Sequence, residues 1–343
     1  INPHSLICAR IISPRRNTAL SVDFFESRIR TALALRERLF ALPYYRLIFS
    51  ESDHLPGIIV DRFADTLVIQ LNTAAMDKRR DSLVTALERV CHPETIVLKN
   101  TSAIRTQEGL ENSVDILKGD NCESLQIIEN DVVFFSPLLE GQKTGWFYDH
   151  RLNRTRLTQY CQDKSVLDLF CYVGAWGILA AVAGARSVQC VDSSKRALQY
   201  VERNASENAV ADKVSTLQGD AFEVLKELQV KGQLFDCINI DPPAFIKRKK
   251  DLKKGMAAYK QINTLAMQQL ENDGILISSS CSFHLGHAEL RNILLQCAIK
   301  LGRGIQILEQ GHQAPDHPIH PAITETAYLK TFICRITHPE VLY

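Results

Sequence analysis

The stretch that decides the fold is Val166-Leu167-Asp168-Leu169-Phe170-Cys171-Tyr172-Val173-Gly174-Ala175-Trp176-Gly177. A short apolar run, residues 166–170, passes into a turn with two glycines, and a helical pattern follows as far as residue 183. Further strand patterns alternate with helical ones along the rest of the chain, at residues 187–192, 214–218, 235–240, 275–279, 305–309 and 328–336. This alternation predicts an α/β fold with a doubly wound, parallel sheet and right-handed crossovers.

The first half of the chain has a different pattern. A helical period over residues 21–40 is followed by β-rich runs at 45–49, 57–63 and 66–72, a helix at 77–90, and strands at 95–99, 125–128 and 132–136. These elements predict a smaller α+β domain over residues 13–150. Residues 5–12 resemble a strand without a partner, and the chain begins with Ile1. We expect residues 1–12 to be the remnant of a missing N-terminal module.

The composition excludes several classes of protein. The 343 residues are 45% hydrophobic with a net charge of +1, so the protein as a whole does not attract nucleic acid or membranes. Ten scattered cysteines without a C-x-x-C pair favour a reducing, cytoplasmic location. No apolar run approaches the roughly 20 residues that span a bilayer. We therefore expect a soluble protein.

Three predicted strands end in acidic residues, Asp168, Asp192 and Asp220. The turn after the first strand lacks the first glycine of the G-x-G-x-x-G dinucleotide pattern, and only Gly174 and Gly177 are present. A single aspartate in such a place is often just a helix cap. Three of them on consecutive strands instead indicate a pocket for a nucleoside that carries a cation. This favours S-adenosylmethionine over NAD.

The next two strands end in groups that can react. One is followed by Asp241-Pro242-Pro243-Ala244-Phe245 and the other by Cys281, within Ser278-Ser279-Ser280-Cys281-Ser282. Ligands of open parallel sheets bind outside the carboxyl ends of the strands, so a carboxylate and a thiol here face one substrate. A buried, inert cysteine is the alternative interpretation. The serines around Cys281 favour a functional one.

These residues resemble the class I S-adenosylmethionine-dependent methyltransferases. More narrowly, they resemble the large-subunit ribosomal RNA methyltransferases that modify carbon 5 of cytosine and carry an N-terminal PUA domain. The motifs that carry the resemblance are residues 140–151 (Glu-Gly-Gln-Lys-Thr-Gly-Trp-Phe-Tyr-Asp-His-Arg), 168–177, 241–245, 259–263, 280–282 and 316–318. The resemblance covers nearly the whole chain.

The resemblance implies a seven-stranded Rossmann-like methyltransferase sheet over residues 151–343, with 1–12 as the last part of a PUA domain. Cys281 would attack carbon 6 of the cytosine, and Asp241 would hold the base. The expected cofactor-binding residues are Lys143, Thr144, Gly145, Asp168, Phe170, Gly174, Asp192, Ser193, Asp220, Asp241 and Pro242. The expected RNA-binding residues are Phe245, Lys247, Arg248, Lys249 and Lys250, with Tyr172 as a second candidate for stacking on the base. The resemblance also allows a homodimer.

One departure and several alternatives accompany this interpretation. Many RNA cytosine methyltransferases have a second cysteine after the proline of the Asp-Pro motif, where this chain has Pro243-Ala244. The basic run 247–250 is equally well explained as a solvated surface. Three histidines at 312, 317 and 320 match no zinc pattern, and no metal is expected. The alternative functions are methylation of a base nitrogen without an adduct, NAD-dependent oxidoreduction, and RNA binding without catalysis.

Overall fold

The computed structural model describes residues 9–120 and 123–338, and these fall into two units. Unit 1 takes the described residues of Ile1–Glu129, Ser136–Tyr148 and Ala314–Thr326. Unit 2 takes those of Asn130–Phe135, Asp149–Gln313 and Ala327–Tyr343. One division thus falls near residue 150, while 130–135 and 314–326 belong to the unit on the other side of it. Of the expected remnant strand, residues 1–8 lie outside the described residues, and 9–12 form no strand.

Unit 1 contains a five-stranded sheet with the order β1-β2-β3-β4-β5. Its strands are β1 Tyr44–Phe49, β2 Ile58–Phe63, β3 Thr66–Leu71, β4 Thr95–Asn100 and β5 Ser113–Lys118. Its helices are α1 Val22–Leu39, α2 Ala74–Asp77, α3 Arg80–Cys91 and α4 Ala103–Gln107, with 3-10 turns at Ser50–Asp53 and Thr324–Thr326. Only β3 and β4 pair in parallel. Helix α4, which has five residues, and strand β5, which is largely exposed, were not predicted from the sequence.

Helix α1 shows how sequence sets the packing of unit 1. The Ser21 hydroxyl caps its first turn by accepting from the backbone N of Phe24 at 3.3 Å. Phe25 and Ile29 recur at helical spacing and are completely buried. The same face ends at Arg36, whose guanidinium donates to both oxygens of Asp53 at 2.7 Å. A buried charge is tolerated here because it has a bidentate partner.

The motif at residues 316–318 belongs to unit 1 and contacts both helix α1 and strand β1. Asp316 is completely buried. Its carboxylate accepts from the backbone N of Arg46 at 3.0 Å, and its carbonyl accepts from the Arg36 guanidinium at 3.0 Å. These contacts give Asp316 a structural role within unit 1.

Two strands lie at the division between the units, β6 Ser124–Glu129 and β7 Val132–Pro137, which form a two-stranded sheet. A 3-10 turn, Tyr148–His150, spans the second division.

Unit 2 is built on a seven-stranded sheet with the order β10-β9-β8-β11-β12-β14-β13. The strands are β8 Ser165–Leu169, β9 Ser187–Asp192, β10 Val214–Gln218, β11 Phe235–Ile240, β12 Leu270–Ser280, β13 Gly304–Gly311 and β14 Lys330–Thr337. The helices are α5 Arg151–Leu157, α6 Ala175–Val182, α7 Lys195–Glu207, α8 Ala221–Val230, α9 Leu252–Gln268 and α10 His287–Lys300, with a 3-10 turn at Lys249–Asp251. The expected α/β, seven-stranded, doubly wound architecture is confirmed.

The prediction of a wholly parallel sheet is wrong in one strand. β14 runs antiparallel to both of its neighbours, β12 and β13. The other strands reach their parallel neighbours through helices, whereas no α-helix lies between β13 and β14. An antiparallel return needs no helical crossover, so this connection permits the reversal. The five strands β8 to β12 are parallel, and their carboxyl ends therefore meet at one edge of the sheet.

Candidate active site

Asp168 lies at the end of β8 and organises the turn that follows. It is completely buried, and its Oδ2 accepts from the backbone N of Gly177 at 2.9 Å while Oδ1 accepts from Asn239 Nδ2 at 2.9 Å. A Cβ at Gly177 would lie 2.5 Å from the sulfur of Cys190, so only glycine allows this close approach. Both oxygens of Asp168 are engaged within the fold. Asp168 therefore supports the turn between β8 and α6 from within the fold.

The protonation of the Asp168 carboxyl predicts how the stability of the protein changes with pH. Burial raises its pKa from 3.8 to about 7, more than the hydrogen bonds from Asn239 and Gly177 lower it. The folded state thus favours the protonated acid, so its contribution to stability is complete below about pH 4 and is lost as the pH rises through about 7. The Asn239 amide oxygen has no hydrogen-bond partner in the described structure, and a flipped amide would accept the acid proton.

We therefore expect Asp168→Asn to gain stability relative to the wild type as the pH rises between about 4 and 8. Urea unfolding of both proteins across that range measures the difference. Asp236→Asn is the control, because hydrogen bonds from Ser165 and the charges of Lys164 and Arg186 outweigh burial and lower the pKa of Asp236. Its effect should be constant over the same range. A constant difference for Asp168→Asn as well would contradict the account.

The turn between β8 and α6 has an unusual backbone. Phe170, Tyr172 and Gly174 all have positive φ, at 60°, 50° and 84°. Gly174 is the N-cap residue of α6, and the Tyr172 backbone N donates to Asp192 Oδ2 at 2.9 Å. Positive φ at two residues other than glycine is uncommon and is retained where the surroundings hold it in place. The turn and the start of α6 are thus held by hydrogen bonds from their backbone to Asp192 and to Asp168.

The aspartates at the ends of β9 and β10 differ in burial and in the contacts they make. Asp192 is half-buried at the end of β9, and its other oxygen, Oδ1, accepts from the backbone N of Ser194 at 2.9 Å. Ser193 is exposed beside it. Asp220 is an exposed N-cap of α8 and accepts through Oδ1 from Phe222 N at 2.9 Å. Each carboxylate oxygen has two lone pairs, so Asp192 and Asp220 retain acceptor capacity towards a ligand.

Asp241 follows β11 and is held from both sides. Its Oδ1 lies 3.1 Å from His150 Nε2, and its Oδ2 accepts from the indole N of Trp176 at 3.2 Å. The rings of His150 and Trp176 contact each other edge to face at 5.3 Å and are almost completely buried. The Asp241 side chain keeps 21% of its surface exposed. A carboxylate that is fixed on two sides and open on a third is suited to orient a ligand.

Cys281 follows β12, the strand next to β11. The two strands pair in parallel with Ile240 opposite Ser278, and the Sγ of Cys281 lies 3.9 Å from the carbonyl oxygen of Pro242. Cys281 is partly exposed, whereas the other cysteines among the described residues are buried. The structure therefore brings together the two groups that the sequence singled out.

The backbone on both sides of Cys281 is fixed by one buried tyrosine. The hydroxyl of Tyr259 accepts from Ser280 Oγ at 2.8 Å and lies 2.9 Å from Ser282 Oγ. Ser282 Oγ also accepts from the backbone N of Ile246 at 3.2 Å, which joins the loop after β11 to the loop after β12. These contacts hold the cysteine in place relative to the loop that begins with Asp241.

The residues expected to bind RNA divide into two groups. The Phe245 ring is half-buried in an aromatic cluster, with ring centroids 4.8 Å from Tyr259, 6.0 Å from Phe222 and 6.3 Å from Phe170. Its packing supports the loop after β11. The basic residues 247–250 are all exposed, and among them Arg248 forms an ion pair with Asp251 at 3.3 Å.

Lys143, Thr144 and Gly145 belong to unit 1, where they form a tight turn. The Thr144 hydroxyl donates to the buried Asp61 carboxylate at 2.5 Å, and the Lys143 ammonium lies 4.7 Å from the centre of the Phe147 ring. Gly145 has a φ of 115°. Their expected role at the cofactor stays a prediction.

Sequence reasoning missed four side chains that shape the site: His150, Trp176, Tyr259 and Lys330. The first three lie inside quoted motifs, but nothing in their spacing showed what they contact. Lys330 had a visible signal, because it is a lone lysine at the start of an apolar strand. Within the described ranges, no group of three or more histidines, cysteines or acids is arranged to hold a metal ion. No helix in the described part of the chain is long and apolar enough to cross a membrane.

A largely parallel sheet with a fixed turn after its first strand and polar groups at five strand ends defines a Rossmann-like methyltransferase. The chain is 37% identical over 339 residues to ribosomal RNA large subunit methyltransferase I of Pseudoalteromonas atlantica, covering 98% of this chain and 86% of the relative. It is 38% identical over 341 residues to the protein of the same name from Aliivibrio fischeri, with the same coverage. The chain belongs to the ribosomal RNA large subunit methyltransferase I family, and the expectation of a methyltransferase is confirmed.

The chain also matches a protein-family pattern and solved structures with the same fold. A protein-family pattern described as conserved hypothetical protein 95 matches residues 155–280. The crystal structure of SMU.776 complexed with SAH shares the fold, with a TM-score of 0.83, 23% identity, and coverage of 95% of this chain and 84% of the other. A tRNA m1G37 methyltransferase from M. jannaschii shares it more distantly, with a TM-score of 0.59, 14% identity, and coverage of 86% and 76%.

Proposed function

We propose that this protein transfers a methyl group from S-adenosylmethionine to carbon 5 of a cytosine in large-subunit ribosomal RNA. Cys281 forms a covalent bond with carbon 6 of the base during the reaction. Membership of the ribosomal RNA large subunit methyltransferase I family supports the donor and the class of RNA. The observation that carries the finer proposal is the partly exposed Cys281 thiol, 3.9 Å from the carbonyl of the Asp-Pro-Pro turn.

The residues around the β8 turn fit the proposed cofactor. Bound S-adenosylmethionine supplies a methyl group on a positively charged sulfur. Asp192 and Asp220 have oxygens with acceptor capacity for hydroxyl and amino groups of the nucleoside. The positive φ angles at Phe170 and Gly174 turn the main chain sharply between β8 and α6. Asp168 acts indirectly, by holding Gly177 N and Asn239 in place.

The chain's own groups then divide the reaction. Asp241, fixed by His150 and Trp176, hydrogen-bonds the polar edge of cytosine and orients the ring. The Cys281 thiolate donates an electron pair to carbon 6, and the electrons of the C5–C6 double bond move towards carbon 5. Carbon 5 uses these electrons to bond the methyl group, whose bond to the donor sulfur breaks. The proton on carbon 5 then passes to solvent, the electrons of the C5–H bond restore the C5–C6 double bond, and the S–C6 bond breaks to return the thiolate. Covalent catalysis thereby replaces one difficult step by two easier ones.

The exposed basic run at residues 247–250 is proposed to contact phosphates of the RNA. Replacing Lys247, Lys249 and Lys250 by glutamine removes three positive charges next to the base-binding turn. We expect weaker RNA binding and a plot of log affinity against log salt that is shallower by about 2 to 3 units.

Filter binding of an RNA fragment at several salt concentrations measures this slope. The control is a variant with glutamine at two exposed lysines of α8, Lys226 in the middle of the helix and Lys231 at its C-cap. It should leave the slope unchanged. An unchanged slope in the triple variant would assign the basic run to the solvated surface instead.

Mass mapping of large-subunit ribosomal RNA from cells that lack this protein tests the function. We expect one cytosine to lose a methyl group, and methylation to return when the wild-type gene is restored. Chromatography of the digested nucleosides against 5-methylcytidine identifies the methylated atom. A methyl group lost from a guanine or from a base nitrogen would favour the adduct-free alternative, and unchanged RNA would refute the proposed function.

A further inference from the structure

Lys330 is a buried ammonium group beside the Cys281 loop, and the proposed reaction has not yet used it. It begins β14, where its backbone stands opposite Ser280, the residue before Cys281. Its side chain is 2% exposed. The Nζ atom donates to the carbonyl oxygen of Ser282 at 2.7 Å and to that of Tyr328 at 2.7 Å. Lys330 therefore contacts the chain on both sides of Cys281.

Burial of the Lys330 ammonium group costs free energy, so its place beside Cys281 calls for an explanation. Desolvation lowers the pKa of Lys330 to about 8, while the Cys281 thiol and the Glu289 carboxylate act in the opposite direction and favour the ammonium. Two carbonyl groups could be served by a neutral donor at lower cost. What a lysine adds is a positive charge on the loop of Cys281, where it interacts electrostatically with the thiol group.

His287, which also lies near Lys330, does not supply this charge. Burial, followed by the charges of Lys330 and His312, lowers the pKa of His287 below its ordinary value of 6.5. The His287 ring is thus neutral near pH 7, and Glu289 on the same helix, α10, adds negative charge. Among these groups Lys330 is the one that can stabilise an anion at Cys281.

We propose that Lys330 is a positioning residue whose charge keeps Cys281 in the thiolate form that attacks the base. The thiol proton passes to solvent, the ammonium keeps its three protons, and no bond to Lys330 forms or breaks. This inference rests on the proposed function for its meaning in catalysis. The ionisation of Cys281 can nevertheless be measured without RNA or cofactor.

The test is the rate at which iodoacetamide alkylates Cys281 in the folded protein at a series of pH values, followed by peptide mass spectrometry. Lys330→Gln keeps N–H donors for the two carbonyls but has no charge, and Lys330→Arg keeps the charge. We expect alkylation of Lys330→Gln to be about tenfold slower than that of the wild type near pH 7, with the two rates converging at high pH. Lys330→Arg should retain the wild-type profile, as should the exposed control Lys226→Gln.

The possible results test the role of the Lys330 charge independently of the proposed methylation. A Lys330→Gln profile equal to that of the wild type, or slower by the same factor at every pH, would overturn the role of the charge. If Lys330→Gln does not fold, the pH dependence of Cys281 alkylation in the wild type tests the inference. Its Cys281 should reach half of its limiting rate about one pH unit below N-acetylcysteine, and a value equal to or above that reference overturns the inference. Loss of methylation in Cys281→Ala with an unaltered Lys330→Gln profile would refute only the inference.

Discussion

Replacement of Cys281 by alanine should lower the rate of RNA methylation by about 1,000-fold or more, since a covalent route cannot proceed without its nucleophile. The change removes one partly exposed sulfur and leaves the Tyr259 contacts to Ser280 and Ser282 intact. The fold and cofactor binding should therefore be unaffected. Transfer of labelled methyl from S-adenosylmethionine to ribosomal RNA under single-turnover conditions measures the rate, and calorimetry measures cofactor affinity.

The matched control is Cys334→Ala, a buried cysteine on β14. It should cost stability because it leaves a small cavity, but its methylation rate should stay within about twofold of the wild type. If Cys281→Ala methylates as fast as Cys334→Ala, the covalent route is wrong and an adduct-free transfer replaces it.

The second large effect is expected for Asp241→Asn. The amide has nearly the same shape but loses the negative charge and turns one acceptor towards His150 or Trp176 into a donor. We expect turnover to fall roughly 100- to 1,000-fold, because a base that is misplaced in the pocket no longer presents carbon 6 to the thiol. The KM for S-adenosylmethionine should change much less than kcat, which steady-state kinetics separates.

Trp176→Phe and Asp163→Asn complete this experiment. Trp176→Phe removes one of the two donors that hold Asp241, so its loss in kcat should be smaller than that of Asp241→Asn. Asp163 is exposed and 4.0 Å from Arg186, and its replacement should leave kcat unchanged. A rise in the KM for S-adenosylmethionine with normal kcat in Asp241→Asn would instead assign Asp241 to the cofactor alone.

Much of unit 2 followed from periodicity in the sequence. The runs of β8 and β11 are short, mostly apolar and mostly buried, which is typical of central parallel strands. The antiparallel direction of β14 could not be read in the same way, because a strand pattern is the same in both directions. Its direction depends on the connection after β13, which contains no α-helix.

The sequence predicted which residues stand at the carboxyl ends of the strands. Parallel neighbours bring their carboxyl ends together, so the proximity of Asp241 and Cys281 followed from the order of the strands. The roles of the acidic residues did not follow, because burial decides them. Asp168 has both oxygens engaged inside the fold, whereas Asp192 and Asp220 stand at or near the surface. His150 and Lys330 come from distant parts of the chain, and only folding shows what they contact.

The most direct test of the central claim is to incubate the protein and S-adenosylmethionine with ribosomal RNA that contains 5-fluorocytosine. The fluorine replaces the hydrogen that must leave carbon 5 as a proton, so the S–C6 bond cannot be released once carbon 5 has been methylated. We predict a stable protein–RNA adduct whose digested peptide carries the modified base on Cys281, and none with Cys281→Ala. Methylation of unmodified RNA by the same preparation, with no adduct on the fluorinated RNA or with an adduct on another residue, would contradict the account.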